Sequence, residues 1–531
     1  MGQQIDLLII NAKVYDGNGG EPYEGDIAVV RGRIVSISTP PARHRENALK
    51  IIDAAGLSAA PGFIDTHAHS EFTLLADSRA EGKVLQGVTT EINGNCGLSG
   101  APLYGDALMQ REKDLRELEI EERWSTLGEY LELIESRRPA INMATLVGHG
   151  NVRASVVGYD SRRPTGSEAE RMCVLVRKAV GEGAIGLSTG LIYPPGLYAE
   201  TEELITLSRC IGDLIYATHM RSEGDALVES VEETLRIGRE AGIAVHISHL
   251  KTGGRQNWEK AERVIAAIEE ARGEGVRITA DRYPYTAAST DLDAVLPAWT
   301  YAGGAGEELR RLKDEQTRRD IEREVLSAHP LEDYWESITI SSLAREENRW
   351  MEGKTLASIA QELGRRPVEF ILDILIEEDL RIGAIFHSMN EENLRRFLSL
   401  PYVMIGSDSS ARSVGGRTER GKPHPRGFGT FPRFLGRYAR DMALMSLAEA
   451  IRKVTMLPAG TFGLGNRGLI REGFAADLVI FDEEGIRDRA SFEEPFLKPE
   501  GIAYVLVNGQ PAVWGGALTG VMAGKVLRHG K

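Results

Sequence analysis

The sequence has few cysteines, few aromatic residues and no long apolar run. Its 531 residues include only Cys96, Cys173 and Cys210, an odd number that cannot build a disulfide framework. The net charge of −15 argues against the clustered basic surface that a nucleic-acid partner requires. The apolar run LLII near the N-terminus is too short for a signal peptide or a membrane span. We therefore expect a cytoplasmic protein without nucleic-acid or membrane partners, and the sequence leaves its oligomeric state open.

The two ends of the chain are predicted to be β-structure. Residues 1–58 and 470–531 contain short β-branched runs bounded by glycine, such as DIAVVRGRIVSIS and IAYVLVNGQPAVW. Because the termini of a domain commonly lie close together, we expect both ends to share one small β-sandwich domain.

The middle of the chain, residues 59–469, alternates apolar strands with helical stretches. This alternation predicts parallel strands joined by helices, in the α/β class. Strand ends are predicted at FIDTHAH, TTEINGNC, ATLVGHG, GAIGLSTG, IYATHM, VHISHL, RITADRYPY and YVMIGSD. Eight such ends predict a (β/α)8 barrel of the TIM type, with its active site where the strands end.

The interval before the last barrel strand is too long for one βα unit. We expect an inserted helical segment at about residues 305–380. One helix is predicted in KTLASIAQELG, with Thr355 as its cap, and another begins at Pro367 in RRPVEFILDILIEEDL.

Polar residues of the kinds that bind metal gather at the predicted strand ends. In PGFIDTHAHSEF two histidines are one residue apart, which places both on one face of a strand. Imidazole, thiolate and carboxylate are the usual zinc ligands. The candidates are His67, His69, Cys96, His219, His249 and Asp408.

Each candidate also has a structural interpretation. Cys96 taken alone is typical of a small buried side chain. Asp408 lies in the turn-like run SDSS, where it is equally able to cap a turn. A lone strand histidine such as His246 is more often a packed or hydrogen-bonded core residue than a ligand.

These motifs together resemble a known family. The runs GFIDTHAHSE, GVTTEINGNCG, STGLIYPPG, THMRSEG, HISHLK, DRYPY, IGSDSS and HPRGFGTFPR resemble the amidohydrolase superfamily over nearly the whole chain. Within it, the combination of NGNCG with HPRGFGTFPR resembles the N-acyl-D-amino-acid deacylases, or D-aminoacylases.

The resemblance implies a zinc-dependent enzyme that hydrolyses N-acyl-D-amino acids to a carboxylate and the free D-amino acid. It implies one tightly held zinc ion on Cys96, His219 and His249. His67, His69 and Asp408 would form the second half of the site, with room for a second divalent metal. Asp408 would also be catalytic, moving a proton from the attacking water to the leaving amine.

The resemblance also implies residues that contact the substrate. Four positions match contacts to its carboxylate: Lys251, Tyr283, Ser289 and Arg426. Tyr193 would either donate a hydrogen bond to the developing oxyanion or pack against two prolines. His149 ends a strand and is either a support for the site or purely structural.

The substrate side chain is expected to be neutral or hydrophobic. Segment 291–306 contains no cation that would pair with an acidic substrate. Phe386 and Met389 would form an apolar, adaptable wall.

Two other functions remain open. A cyclic amide or D-dipeptide hydrolase of hydantoinase or dipeptidase type keeps the superfamily but changes the substrate. GAIGLSTGL contains no lysine, whereas many binuclear amidohydrolases use a modified lysine on that strand, so a hydantoinase-like site is disfavoured. A non-catalytic scaffold would have lost ligands, and all six candidates are present.

Overall fold

A computed structural model describes residues 4–39 and 47–530 of the chain. Positions 1–3, 40–46 and 531 of the predicted β-domain lie outside the described residues. The strands are β1 Leu7–Val14, β2 Tyr23–Val30, β3 Arg33–Ser38, β4 Ile51–Asp53, β5 Ser58–Pro61, β6 Phe63–Asp65, β7 Val88–Asn93, β8 Asn142–Thr145, β9 Val147–Gly148, β10 Gly186–Gly190, β11 Ile215–His219, β12 Ala244–Ile247, β13 Ile278–Arg282, β14 Ala288–Asp291, β15 Ile338–Leu343, β16 Ile382–Phe386, β17 Val403–Ile405, β18 Leu478–Phe481, β19 Ile502–Val507, β20 Gln510–Trp514 and β21 Ala517–Leu518.

The helices lie mainly between the strands. They are α1 Thr73–Ala76, α2 Glu81–Val84, α3 Gly105–Glu117, α4 Leu127–Arg137, α5 His149–Val156, α6 Gly166–Glu182, α7 Thr201–Ser208, α8 Leu227–Ala241, α9 Ala261–Gly273, α10 Ala305–Lys313, α11 Glu315–Ala328, α12 Leu356–Glu362, α13 Pro367–Glu377, α14 Glu391–Ser399, α15 Arg426–Arg433, α16 Leu447–Val454 and α17 Met456–Thr461. Within the described ranges, no helix has both the length and the apolar content needed to cross a bilayer.

The barrel predicted from the sequence is confirmed. Strands β6, β7 and β8 pair in parallel, as do β9 to β13 and β17 in the order β9-β10-β11-β12-β13-β17. Strands β8 and β9 are two parts of one segment interrupted at Leu146. A parallel bridge between Ala68 and Ser409 joins the segments that follow β6 and β17. The eight predicted strand ends therefore meet at one end of the barrel.

Both chain ends contribute to one nine-stranded sheet, as predicted. Strand β5 pairs antiparallel with β18, which joins the N-terminal strands to the C-terminal ones. Along β18, Leu478 and Ile480 belong to the core of this sheet, while Val479 and Phe481 join the core of the barrel. Because side chains alternate along a strand, β18 contributes to both cores and fixes the β-domain against the barrel.

The insert has a three-stranded antiparallel sheet, β14-β16-β15, with a separate hydrophobic core. Two sequence predictions are confirmed here: Thr355 caps α12 by accepting a hydrogen bond from the Ser358 N–H, and α13 begins at Pro367. The core extends from Leu292 to Ala384, which favours an earlier start for the insert. The division into residues 1–58 with 470–531, 59–469 and an insert at about 305–380 stays a prediction.

Candidate metal and substrate site

Three candidate ligands have an unusual backbone conformation just after a barrel strand. Cys96, His249 and Asp408 have φ angles of 52°, 35° and 51°. Residues other than glycine seldom adopt this left-handed region, and such strain clusters at functional sites. The chain is also tightly packed here, since a Cβ added to Gly190 would lie 2.1 Å from the carbonyl oxygen of Cys96.

Cys96 lies between two of the histidines. Its Sγ is 3.3 Å from His67 Nε2 and 3.4 Å from His249 Nε2. Burial alone would raise the pKa of the thiol, but His67 and His249 hold that pKa well below its ordinary value. Cys96 is therefore poised as a thiolate, the form in which cysteine binds metal.

His219 lies beside His249, with ring centroids 4.3 Å apart. The side chain is buried, yet neither ring nitrogen has a hydrogen-bond partner among the described residues. Burial lowers the pKa of His219, which favours the neutral imidazole that metals bind. Because buried polar atoms are normally paired, these nitrogens and the Cys96 sulfur fit the donor set of a zinc site.

His67 and His69 both face Asp408. The Asp408 Oδ1 atom is 3.6 Å from His67 Nε2 and 3.1 Å from His69 Nε2. Burial alone would lower the pKa of His69, but the hydrogen bond to Asp408 and the nearby Cys96 raise it to about 10. Burial would raise the pKa of Asp408, yet Arg426 and His67 hold it well below its usual range. Asp408 is therefore ionised.

The metal-binding candidates belong to three overlapping groups. The ligand atoms of His67, Cys96 and His249 lie within 4.8 Å of one another, and so do those of His67, His69 and Asp408. A third group of this kind contains His219, His249 and Glu223. All six predicted candidates thus come together at the barrel mouth.

Asp281 was missed by the sequence analysis. Its Oδ2 lies 3.2 Å from His67 Nδ1 and 2.8 Å from His246 Nε2, and its Oδ1 accepts a hydrogen bond from the His249 backbone N–H at 2.8 Å. A carboxylate on Nδ1 leaves Nε2 of His67 free to face the metal candidates. The signal was present, because Asp281 is an acid near the end of a predicted barrel strand, β13, in the run RITADRYPY.

Glu223 was also missed. Its Oε1 is 2.8 Å from His249 Nδ1 and forms an ion pair with Lys251, and its Oε2 is 3.6 Å from His219 Nε2. Burial would raise the pKa of Glu223, but Lys251 and His219 hold it well below its ordinary value. Glu223 follows β11 in THMRSEG, four residues after His219, where its charge at a strand end was the available signal.

Three of the predicted carboxylate contacts lie together. The guanidinium of Arg426 is 4.7 Å from the centre of the Tyr283 ring, and Lys251 Nζ is 6.0 Å from it. The Tyr283 hydroxyl is buried and has no partner among the described residues. Ser289 approaches Arg426 through its backbone oxygen, which accepts from Nη2 at 3.4 Å.

The predicted oxyanion donor lies beside the metal candidates. The Tyr193 ring is 5.1 Å from that of His219, and its hydroxyl lies 3.2 Å from Thr290 Oγ1 on β14. Burial and the Cys96 charge raise the pKa of Tyr193 well above its ordinary value, so the hydroxyl stays protonated. The insert strand β14 therefore forms one wall of the site.

The remaining candidates differ in their surroundings. Met389 Sδ lies 2.9 Å from Nη2 of the buried Arg282, whereas Phe386 packs against the core of the insert. His149 Nε2 is 2.8 Å from Glu203 Oε1 and belongs to none of the three metal-binding groups. His246 is buried and hydrogen-bonded to Thr279.

Comparison with known proteins agrees with this geometry. The model of the amidohydrolase family matches residues 50–513. A D-aminoacylase of Alcaligenes xylosoxydans xylosoxydans is 36% identical, and the match covers 99% of this chain and 98% of that protein. An N-acyl-D-glutamate deacylase of the same organism is 35% identical, with 100% and 98% covered.

A solved structure shares the whole architecture. The N-acyl-D-glutamate deacylase of Bordetella bronchiseptica, complexed with zinc and a phosphonate inhibitor that mimics the tetrahedral intermediate, has a TM-score of 0.82 and 32% identity. The match covers 99% of this chain and 100% of that one. The chain belongs to the amidohydrolase family, as the motifs predicted.

Proposed function

We propose that the protein hydrolyses the amide bond of N-acyl-D-amino acids, with zinc as its cofactor, and releases a carboxylate and the free D-amino acid. One observation carries this proposal. The Cys96 thiolate and its histidines lie beside two cations, Arg426 and Lys251, that are suited to a substrate carboxylate. The proposal is also supported by the relatives at 35–36% identity, a D-aminoacylase and an N-acyl-D-glutamate deacylase.

Arg426 and Lys251 bind and orient the substrate in this proposal. A guanidinium holds a planar carboxylate through two hydrogen bonds, and an ammonium adds a point charge. The centre of the Tyr283 ring lies 4.7 Å from the Arg426 guanidinium and 6.0 Å from Lys251 Nζ, and its hydroxyl, which has no partner among the described residues, is available to donate. Fixing the carboxylate places the neighbouring amide beside Cys96 and His249, which lowers the entropic cost of reaction.

A zinc ion held by Cys96, His219 and His249 would polarise the amide carbonyl and make water nucleophilic near neutral pH. Asp408 accepts a proton from the attacking water as the water oxygen bonds to the carbonyl carbon. Tyr193 donates a hydrogen bond to the oxygen that gains charge. Asp408 then returns the proton to the amine nitrogen as the carbon–nitrogen bond breaks.

We place one tightly bound zinc on Cys96, His219 and His249, and a second divalent metal, where present, on His67, His69 and Asp408. The two ring nitrogens of His219, which have no hydrogen-bond partner in the described part of the chain, support the first assignment. The group formed by His67, His69 and Asp408 supports the second. His67 also lies 3.3 Å from Cys96, so the two positions adjoin.

A neutral or hydrophobic D-amino acid is the proposed substrate. Met389 offers an apolar side chain, whose Sδ lies 2.9 Å from Arg282 Nη2, and no cation occurs in segment 291–306. A D-aminoacylase and an N-acyl-D-glutamate deacylase match almost equally well, so identity alone does not choose between them. We also propose a cytoplasmic location, which the three free cysteines support.

A substrate panel tests the proposal. N-acetyl-D-methionine, N-acetyl-L-methionine, N-acetyl-D-glutamate, a D-dipeptide and a hydantoin are assayed with one preparation whose zinc content is measured. We expect hydrolysis of the D-methionine derivative, with the L-enantiomer and D-glutamate derivative much slower. Hydrolysis confined to hydantoins or dipeptides would support the cyclic-amide or dipeptidase alternative. No hydrolysis by zinc-loaded protein would favour the scaffold.

A further inference from the structure

Glu223 makes contacts that the proposed chemistry does not use. Its carboxylate lies between the Lys251 ammonium and the His249 ring, while Nε2 of His249 faces Cys96 at 3.4 Å. Lys251 Nζ also lies 2.7 Å from His249 Nδ1. We infer that Glu223 is a positioning residue that holds Lys251 for the substrate carboxylate and fixes the proton of His249 on Nδ1. This inference rests on the proposed function.

The site contains two similar sets of a cation, an acid and a histidine. Each cation proposed to bind the substrate is paired with an acid, and that acid also contacts a histidine of the metal candidates. Asp408 contacts Arg426 and His69, while Glu223 contacts Lys251 and His249. Lysine has a long flexible side chain, so it depends on such a partner for a defined position.

The second role concerns the tautomer of His249. A neutral imidazole carries one ring proton, and the hydrogen bond at one nitrogen decides which nitrogen is free. With Glu223 present, Nδ1–H donates to the carboxylate and the lone pair of Nε2 faces Cys96. Without the carboxylate, the Lys251 ammonium donates to Nδ1. The ring proton then moves to Nε2, which blocks a bond from His249 to the metal.

The charge of Glu223 is therefore expected to affect two separate measurements. Glu223→Gln keeps the shape but loses the charge that attracts the ammonium. We expect the variant to lose about 10-fold or more of the preference for N-acetyl-D-methionine over its carboxamide analogue. We expect zinc affinity, measured by competition with a chelator in the absence of substrate, to fall about 10- to 100-fold. Glu223→Asp keeps the charge and should recover part of the lost preference.

A glutamate outside the site provides a matched control, because its substitution by glutamine removes the same charge. Glu378 is a buried acid in the insert that accepts hydrogen bonds from the backbone N–H groups of Ala344 and Arg345. Glu378→Gln should leave both the substrate preference and the zinc affinity unchanged. In a Lys251→Met background, Glu223→Gln should cause little further loss of preference, because the ammonium it positions is gone.

The outcomes separate the inference from the proposed function. If the wild-type protein hydrolyses no N-acyl-D-amino acid, the proposed function fails, and the chelator competition still tests the role in metal binding. If the wild-type protein is active and Glu223→Gln matches Glu378→Gln in both measurements, the positioning role is overturned. A loss of preference that is fully additive with Lys251→Met would overturn the part concerning Lys251.

Discussion

Arg426 Nη1 lies 2.8 Å from Asp408 Oδ2, so the proposed carboxylate-binding cation and the proposed proton-transfer group form one ion pair. Both side chains are largely buried. Hydrogen bonds to charged groups contribute about 1.5–3 kcal/mol each, so loss of Arg426 should weaken substrate binding strongly. We predict that Arg426→Met raises KM for N-acetyl-D-methionine about 10- to 100-fold.

Arg433 provides the control for that variant. It lies in the same helix, its guanidinium lies 4.7 Å from the ring centre of Tyr285, and it pairs with Asp488 at 2.9 Å. Arg433→Met should lower stability without changing KM. If Arg426→Met weakened a carboxamide analogue as much as the carboxylate substrate, the carboxylate-binding role would be wrong.

Buried charges behind the site should be essential to stability. Lys83 Nζ donates to Asp65 Oδ2 at 2.6 Å and to Ser407 Oγ at 2.8 Å, with both charged side chains fully buried. Breaking a buried ion pair from one side leaves a charge without a partner and costs roughly 3–5 kcal/mol. We predict that Lys83→Met lowers the free energy of unfolding by about that amount, measured by chemical denaturation.

The exposed Lys178 and its partly buried partner Glu182 serve as the comparison, with 3.8 Å between Nζ and Oε1. Lys178→Met should change the free energy of unfolding by no more than about 0.5 kcal/mol. Equal effects of the two substitutions would show that the buried network contributes little.

The close approach of Gly190 to Cys96 should be required for metal binding. An added Cβ at position 190 would lie 2.1 Å from the Cys96 carbonyl oxygen, so the Cys96 segment must move. We predict that Gly190→Ala protein contains less than half the zinc of the wild type after dialysis against a weak chelator. At Gly181, inside α6, an added Cβ would meet no atom of the described residues within 4 Å, apart from its chain neighbours and the nearby backbone of its own helix. Gly181→Ala should keep its zinc and gain up to about 1 kcal/mol of stability. Full zinc content in Gly190→Ala would contradict the prediction.

Glu308 is expected to make the stability of the folded protein depend on pH. Burial, and next the charge of Asp293, raise the pKa of Glu308 to about 8, although Arg311 opposes this. The native state therefore keeps a proton on Glu308 that the unfolded state loses near its ordinary value of 4.5. Stability should fall as pH rises from about 4.5 to about 8, because the unfolded state binds fewer protons over this range.

Glu308→Gln removes this titration. We predict that the variant is more stable than the wild type at pH 8, by about 1 kcal/mol or more, and that the difference shrinks towards pH 5. The neighbouring Glu307 is half-exposed and paired with Arg310, so Glu307→Gln should show no such trend. Unfolding midpoints measured across this pH range check the prediction, and a difference that stayed constant with pH would contradict it.

Much of the barrel and its site was accessible from the sequence, because both depend on short-range patterns. The alternation of apolar strands and helices gave the strand ends, and the spacing of His67 and His69 placed them on one side. Family motifs supplied the other candidates. Each of these features can be recognised within a short stretch of the sequence.

The hydrogen-bonding partners of those candidates were not accessible in the same way. Asp281 contacts His67 across 214 positions of sequence, and that contact depends on how the barrel closes. The left-handed backbone at Cys96 and His249 also turns each side chain away from the simple alternation of a strand. The contact of Ser289 was equally inaccessible, since Ser289 approaches Arg426 through its backbone oxygen and not through its side chain.

The central claim is that one zinc ion is held jointly by residues from three different barrel strand ends. Anomalous scattering from crystals of the zinc-loaded protein, recorded on both sides of the zinc absorption edge, tests it most directly. We predict a peak about 2.3 Å from Cys96 Sγ and about 2.0–2.1 Å from one nitrogen each of His219 and His249. A peak elsewhere, or none at these residues in protein that hydrolyses N-acetyl-D-methionine, would contradict the account.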